Sequence, residues 1–283
     1  MNWEIRDHSL FGKSLFLDNG TIEVGIPLEY GLRISHFSFC GEQNVFFEQP
    51  KEMTDLTTEK GWKVRGGHRL WLAPESEKVY FPDNEPISYL FLKDDSEQRK
   101  DQIEIVQKED PWLKVRKSMR ISFVGDREVE VTNRVENTGE EELYCSLWAI
   151  QAMAPGGTEE IPFALRDGGM DHWHRVSMWD YTSLGDPRVE YRRDGITLTH
   201  QPLEEKYKIG VGHPIGPVTY KNQGVTFVKK FVVESERLYP DGDVSFETFM
   251  CKHMVEIESL SPMKRVAPGE YMEYRERWEL IKS

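Results

Sequence analysis

Apolar residues in this chain recur at every second position over many short stretches, and helical spacing is hard to find. Alternation of that kind sends successive side chains to opposite faces of a pleated strand. Ser14 to Leu17, Thr21 to Gly25 and Leu32 to Phe39 read as strands, separated by Asp18-Asn19-Gly20 and by Pro27 to Gly31. Asn19-Gly20 between apolar alternations predicts a hairpin. Gln102 to Gln107, Leu113 to Phe123 and Arg127 to Val135 follow, with Val124-Gly125-Asp126 as a turn. Leu143 to Met153, Val225 to Val233, His253 to Leu260 and Tyr271 to Ile281 complete the clearest strands. The pattern predicts an all-β fold, a sandwich or a barrel. Short helix is expected only in Glu48 to Gly61 and Leu203 to Tyr207. No repeat, low-complexity tract or Gly/Pro/Ser-rich linker interrupts the 283 residues, so one domain over residues 1–283 is expected.

Composition narrows the function. With eight Trp and fourteen Phe the chain can bury a sizeable core. Its 36 basic and 49 acidic residues leave a net charge of −13, which argues against nucleic acid or an anionic membrane surface as a partner. No apolar run approaches the ~18 residues of a membrane-spanning helix. Met1 to Lys13 is charged throughout and lacks the pattern of a signal peptide. Cys40, Cys145 and Cys251 are widely spaced and read as reduced thiols, so a cytoplasmic protein is expected; a monomer or homodimer is the expected assembly. The charge run Lys93 to Asp101 reads as a solvated loop or strand end.

Three segments carry side chains suited to chemistry. Gly66-Gly67-His68-Arg69-Leu70-Trp71-Leu72-Ala73-Pro74-Glu75 sets an imidazole, a guanidinium, an indole and a carboxylate behind paired glycines. Glycine lets backbone approach a neighbour or a ligand. A sugar ring packs its C–H face on an indole while its hydroxyls meet the fork of an arginine. Trp71 is equally at home in a core. In His253 to Leu260, a strand would put Val255 and Ile257 on one face and Glu256 and Glu258 on the other. The two carboxylates then meet either open solvent or a concave site, while His253 falls on the interior face. In Tyr207 to His213, Tyr207, Ile209 and Val211 alternate inward and leave Lys208 opposite, to hold a ligand or to snorkel.

Other chemistries lack their motifs. His172-x-His174 has a spacing compatible with a metal, but no third ligand accompanies it, and no metal or cofactor is expected. Walker and dinucleotide fingerprints are absent, as is a serine nucleophile elbow.

Taken in chain order, these segments resemble the galactose-mutarotase-like superfamily, which includes the aldose 1-epimerases. Tyr30 to Ser35 followed by Gly41 to Phe46 is similar to its amino-terminal strands, and Val131 to Gly139 to its middle. The ending is the most specific part: Val255-Glu256, Pro262, then Pro268-Gly269-Glu270 and the strand to Trp278. Gly66 to Glu75, Trp179 to Arg188 and Tyr239-Pro240-Asp241 resemble a little-characterised bacterial branch. The resemblance implies a large antiparallel β-sandwich with a concave face for carbohydrate. In the mutarotases a late-strand glutamate takes the proton of the anomeric hydroxyl and a histidine protonates the ring oxygen. Glu256 matches that glutamate. Leu143 to Met153, the stretch that would carry the acid, holds no histidine, and His68 follows the paired glycines rather than preceding them.

An aldose 1-epimerase-like isomerase acting on a sugar or sugar acid is therefore expected. Glu256 is its base, and His68, or else Lys208 or Arg69, its acid. Trp71, Trp148 and Trp179 are candidate sugar platforms, and Arg69, Arg188 and Lys208 hint at an acidic sugar. A non-catalytic sugar-binding protein and a uronate lyase on the same scaffold stand as alternatives.

Overall fold

A computed structural model describes residues 1–92, 102–163 and 174–283. The charge run Lys93 to Asp101 and His172 of the histidine pair lie outside them. Alternating sequence becomes antiparallel sheet throughout. One sheet orders the strands Arg175–Met178, Tyr207–Gly212, Phe246–Met250, Val255–Leu260, Leu143–Met153, Gly67–Ala73 and Arg33–Ile34, with Lys264–Val266 paired to Leu143–Met153. A ten-stranded sheet has Val225–Phe231, Tyr271–Lys282 and Glu128–Asn137 near its middle. Asn2–His8, Gly12–Asp18, Ile22–Pro27 and His36–Phe39 form a four-stranded sheet. The fold is an all-β sandwich, as the alternation and the resemblance predict. Among the described residues no helix is long and apolar enough to cross a membrane.

The hairpin at Asn19-Gly20 forms as predicted. Asp18 pairs with Glu23, Gly20 takes a φ of +87°, and the Asn19 side-chain oxygen accepts from the amides of Thr21 and Ile22, each at 3.0 Å. Three other expectations are corrected. Leu32 to Phe39 is not one strand: Arg33–Ile34 pairs with Gly67–Ala73, whereas His36–Phe39 pairs with Ile22–Pro27. The chain changes sheets at Ser35, whose amide donates to the Gly25 carbonyl at 2.9 Å. Glu48 to Gly61 holds no helix but a run of turns. There Gln49 reaches the Met53 carbonyl at 2.9 Å and Thr58 accepts from the Trp62 amide at 3.2 Å, so side chains compete for the backbone. Leu203 to Tyr207 is likewise irregular, because Tyr207 opens a strand paired to Met250.

The interior joins apolar packing to a buried polar network. Phe37, Phe46, Phe227 and Trp278 pack ring against ring, with centroids 5.6 to 6.2 Å apart. Beside them the fully buried Lys229 donates to the carbonyls of Ala149 at 2.8 Å and Ile257 at 3.2 Å, and lies 3.3 Å from Glu276. Glu276 also accepts from Gln151 (2.8 Å), Trp278 (2.9 Å) and Ser259 (3.0 Å). Polar groups removed from water must find partners of this kind.

Glu159 lies at the edge of this interior. It accepts from the Thr248 hydroxyl at 2.6 Å, and burial pushes its carboxyl up to about 8. The folded state therefore holds a proton there that the unfolded chain has released. The stabilisation is complete below the ordinary carboxylate range and is lost as pH rises through about 8. His68, lowered to about 4 by burial, changes stability in the opposite sense, but at lower pH. Urea unfolding at pH 6.5 and 8 should show the wild type losing stability relative to Glu159→Gln. Parallel behaviour of the two proteins would refute a protonated Glu159.

Candidate functional site

The strand Gly67–Ala73 sorts its side chains strictly by parity. Gly66 and Gly67 enter it at φ +95° and +68°, and a β-carbon on Gly67 would stand 2.3 Å from the Ile34 carbonyl oxygen. Only glycine fits between these two strands. Beyond it, Arg69 and Trp71 face a cavity of about 620 Å³, a volume suited to a small ligand. His68 faces the sandwich interior.

The register assembles the cavity floor. Lys208 pairs with Phe249, and Phe249 with Glu256, so Lys208 and Glu256 share one face two strands apart. Ile150 pairs with both Glu258 and Arg69, and Trp148 with Trp71. Glu256 accepts from the Arg69 guanidinium at 2.8 Å, and that guanidinium lies 4.6 Å from the centre of the Trp71 ring. Lys208 Nζ stands 4.4 Å from Trp148 and 4.7 Å from Trp179, and is 2.9 Å from Glu247 and 3.3 Å from Glu258. Trp148 Nε1 donates to Glu258 at 2.8 Å. Trp62, Tyr80 and Tyr181 complete an aromatic lining.

These pairings set the electrostatics. Burial alone would lower the Lys208 pKa, but Glu258 and Glu247 outweigh it and hold the ammonium well above its usual range. Burial raises the carboxyls of Glu247 and Glu258, with Lys208 pulling the other way. Arg69 is likewise raised: burial would lower it, but Glu256, with Glu258 and Tyr80, more than offsets the desolvation. Neither Arg69 nor Lys208 is left with uncompensated charge.

Of the residues singled out in the sequence, Glu256, Arg69, Trp71, Trp148, Trp179 and Lys208 line one cavity. His68 does not join them, which corrects the expectation that it shares a ligand with Glu256. It is fully buried, 3.0 Å from Asn133 and 2.7 Å from Gln151 through its two ring nitrogens. With burial lowering its pKa to about 4, it is a neutral ring clamped between the sheets. Arg188 is not in the cavity either. Its guanidinium bonds Asp186 at 2.6 and 2.9 Å and the Glu205 carbonyl at 2.8 Å, bracing its own loop. His253 is not an interior group: it lies before the strand, partly exposed, 2.7 Å from Asp55 at the cavity mouth. His174, the described member of the histidine pair, stacks on Phe163 at 4.2 Å.

Sequence reasoning missed Glu247, Trp62, Tyr80 and Tyr181. Glu247 and Phe249 alternate within Phe246–Met250 and were open to the same argument as Glu256 and Glu258. Trp62 arrives on an irregular loop with no periodicity to read.

No family model and no curated protein matches the chain. Solved structures do. A TPR-domain-containing protein from Parabacteroides distasonis is 14% identical with a TM-score of 0.64, over 95% of this chain and 47% of that one. The present chain thus spans about half of that relative. A mutarotase candidate from Salmonella typhimurium is 12% identical with a TM-score of 0.62, over 99% and 94% of the two chains. A galactose mutarotase-like protein from Lactobacillus casei is 10% identical with a TM-score of 0.59, over 95% and 100%. The chain has the galactose-mutarotase-like fold.

Proposed function

We propose that the indole-lined cavity binds the ring form of an uncharged aldose and interconverts its anomers, an aldose 1-epimerase activity. One observation carries this reading: a carboxylate oriented by an arginine and a fixed ammonium stand on one concave face, among aromatic platforms for a sugar ring. The mutarotase-like names of the structural neighbours support it. Glu256 accepts the proton of the anomeric hydroxyl as the C1–O5 bond breaks, and O5 takes a proton from Lys208. Rotation about C1–C2 and reclosure return both protons. An ammonium held above its usual pKa gives up a proton reluctantly, so a smaller acceleration is expected than an imidazole would provide.

Arg69 and Lys208 are each paired with carboxylates, and Asp55, Glu75 and Glu256 also line the cavity against one further cation, Lys206, a balance that argues for a neutral ligand over a uronate.

NMR exchange between anomers, run over a panel of neutral hexoses, pentoses and uronates, tests the proposal. At least one neutral aldose should exchange faster with the protein than without it. Binding with no acceleration for any sugar would sink the enzymatic reading. It would favour a carbohydrate-binding protein, a second reading supported by the absence of any imidazole among the described residues that line the cavity.

A further inference from the structure

A second cavity, of about 260 Å³, lies across the segment 49–65 from the first. That segment gives Trp62 and Val64 to the larger cavity and Lys63 and Arg65 to the smaller, so alternate side chains serve different chambers. The two differ in charge. In the larger, Arg69 and Lys208 are matched by carboxylates, and Asp55, Glu75 and Glu256 line it beside Lys206. The smaller is lined by Lys51, Lys63 and Arg65, and none of its nine lining residues is acidic. Among the described residues none of these three cations has an ion-pair partner.

Arg65 is held in place by more than its charge. It is a non-glycine residue at φ +54°, a backbone region that persists in L-residues only where the surroundings enforce it. The buried Gln49 enforces it here: its side-chain oxygen accepts from the Arg65 amide at 2.8 Å, and its own amide donates to the Arg65 carbonyl at 3.0 Å. The guanidinium lies 3.9 Å from the centre of the Tyr30 ring and donates to Asn84, while its Nε is buried with no partner. A buried donor on an arginine fork, with two exposed lysines that lack ion-pair partners lining the same space, suits a doubly charged oxyanion. The rest of the lining is largely apolar: Leu10, Pro50 and Met53, with Tyr30 under the Arg65 guanidinium and Phe11 buried against His8.

We propose that this second cavity binds a small phosphate monoester whose organic part is flat or apolar. The phosphoryl oxygens meet Lys51, Lys63 and Arg65, and the organic part rests against the apolar lining of Leu10, Tyr30, Pro50 and Met53. The assignment is independent of what the larger cavity binds.

Calorimetric titration of the whole protein with phenyl phosphate, inorganic phosphate and phenol tests it. R65G is an apt variant, because glycine takes the positive φ without strain and only the side chain is lost. K63Q is a second, at an exposed position. Phenyl phosphate should bind more tightly than inorganic phosphate, phenol should not bind, and added salt should weaken binding. Each variant should weaken phenyl phosphate binding tenfold or more, with an unfolding midpoint near that of the wild type. No binding by the wild type, or the same Kd in wild type, R65G and K63Q, would overturn the proposal.

Discussion

Glu256→Gln is expected to reduce the enzymatic acceleration of anomer exchange by about 10²- to 10⁴-fold, the usual contribution of a positioned proton-transfer group. Sugar affinity should stay within a few-fold, because the amide still accepts from Arg69 and the indole platforms are untouched. The split matters more than the size. A residue that only shapes the cavity would lower affinity and rate together, whereas a base lowers the rate alone. Exchange spectroscopy at saturating sugar, with affinity taken from tryptophan fluorescence, separates the two. A full-rate Glu256→Gln protein would end the proton-transfer account.

The second large effect is on stability. Lys229→Met should cost about 3–5 kcal/mol, the range found when one member of a buried ion pair is removed. The ammonium holds two carbonyls from two strands of one sheet and faces Glu276 from the other, so its loss leaves several buried acceptors unsatisfied at once. Against a total of roughly 5–15 kcal/mol for a typical protein, that is a large fraction. Lys229→Met combined with Glu276→Gln should recover a substantial part, since the stranded charge is gone while Gln151 and Trp278 keep the amide oxygen as acceptor and the Ser259 hydroxyl, turned round, accepts from the new amide nitrogen. Urea unfolding of the wild type and both variants measures this. A single-variant cost below about 1 kcal/mol would show that the network contributes little.

Much of the architecture was legible because a half-buried strand writes its period into the sequence, as Val255–Leu260 and Tyr271–Lys282 do. Glu256 was legible for the same reason, helped by the resemblance of its surroundings. His68 was misread because strand parity says that neighbours diverge but not which of them meets the ligand. Only pairing with Asn133 and Gln151 fixes that. The pairing of the cavity cations was illegible because the contacts are long-range: Arg69 meets a carboxylate 187 residues away and Lys208 one 50 residues away. No local pattern records such partners. The break at Ser35 was hidden because both halves of Leu32 to Phe39 bury apolar side chains, each against a different sheet.

The strict parity of Gly67–Ala73 separates two kinds of evolutionary freedom. Arg69 and Trp71 can drift toward new ligands without disturbing the joint between the layers, while His68, one residue away, answers to cohesion. A descendant of this chain could change its diet while keeping its skeleton.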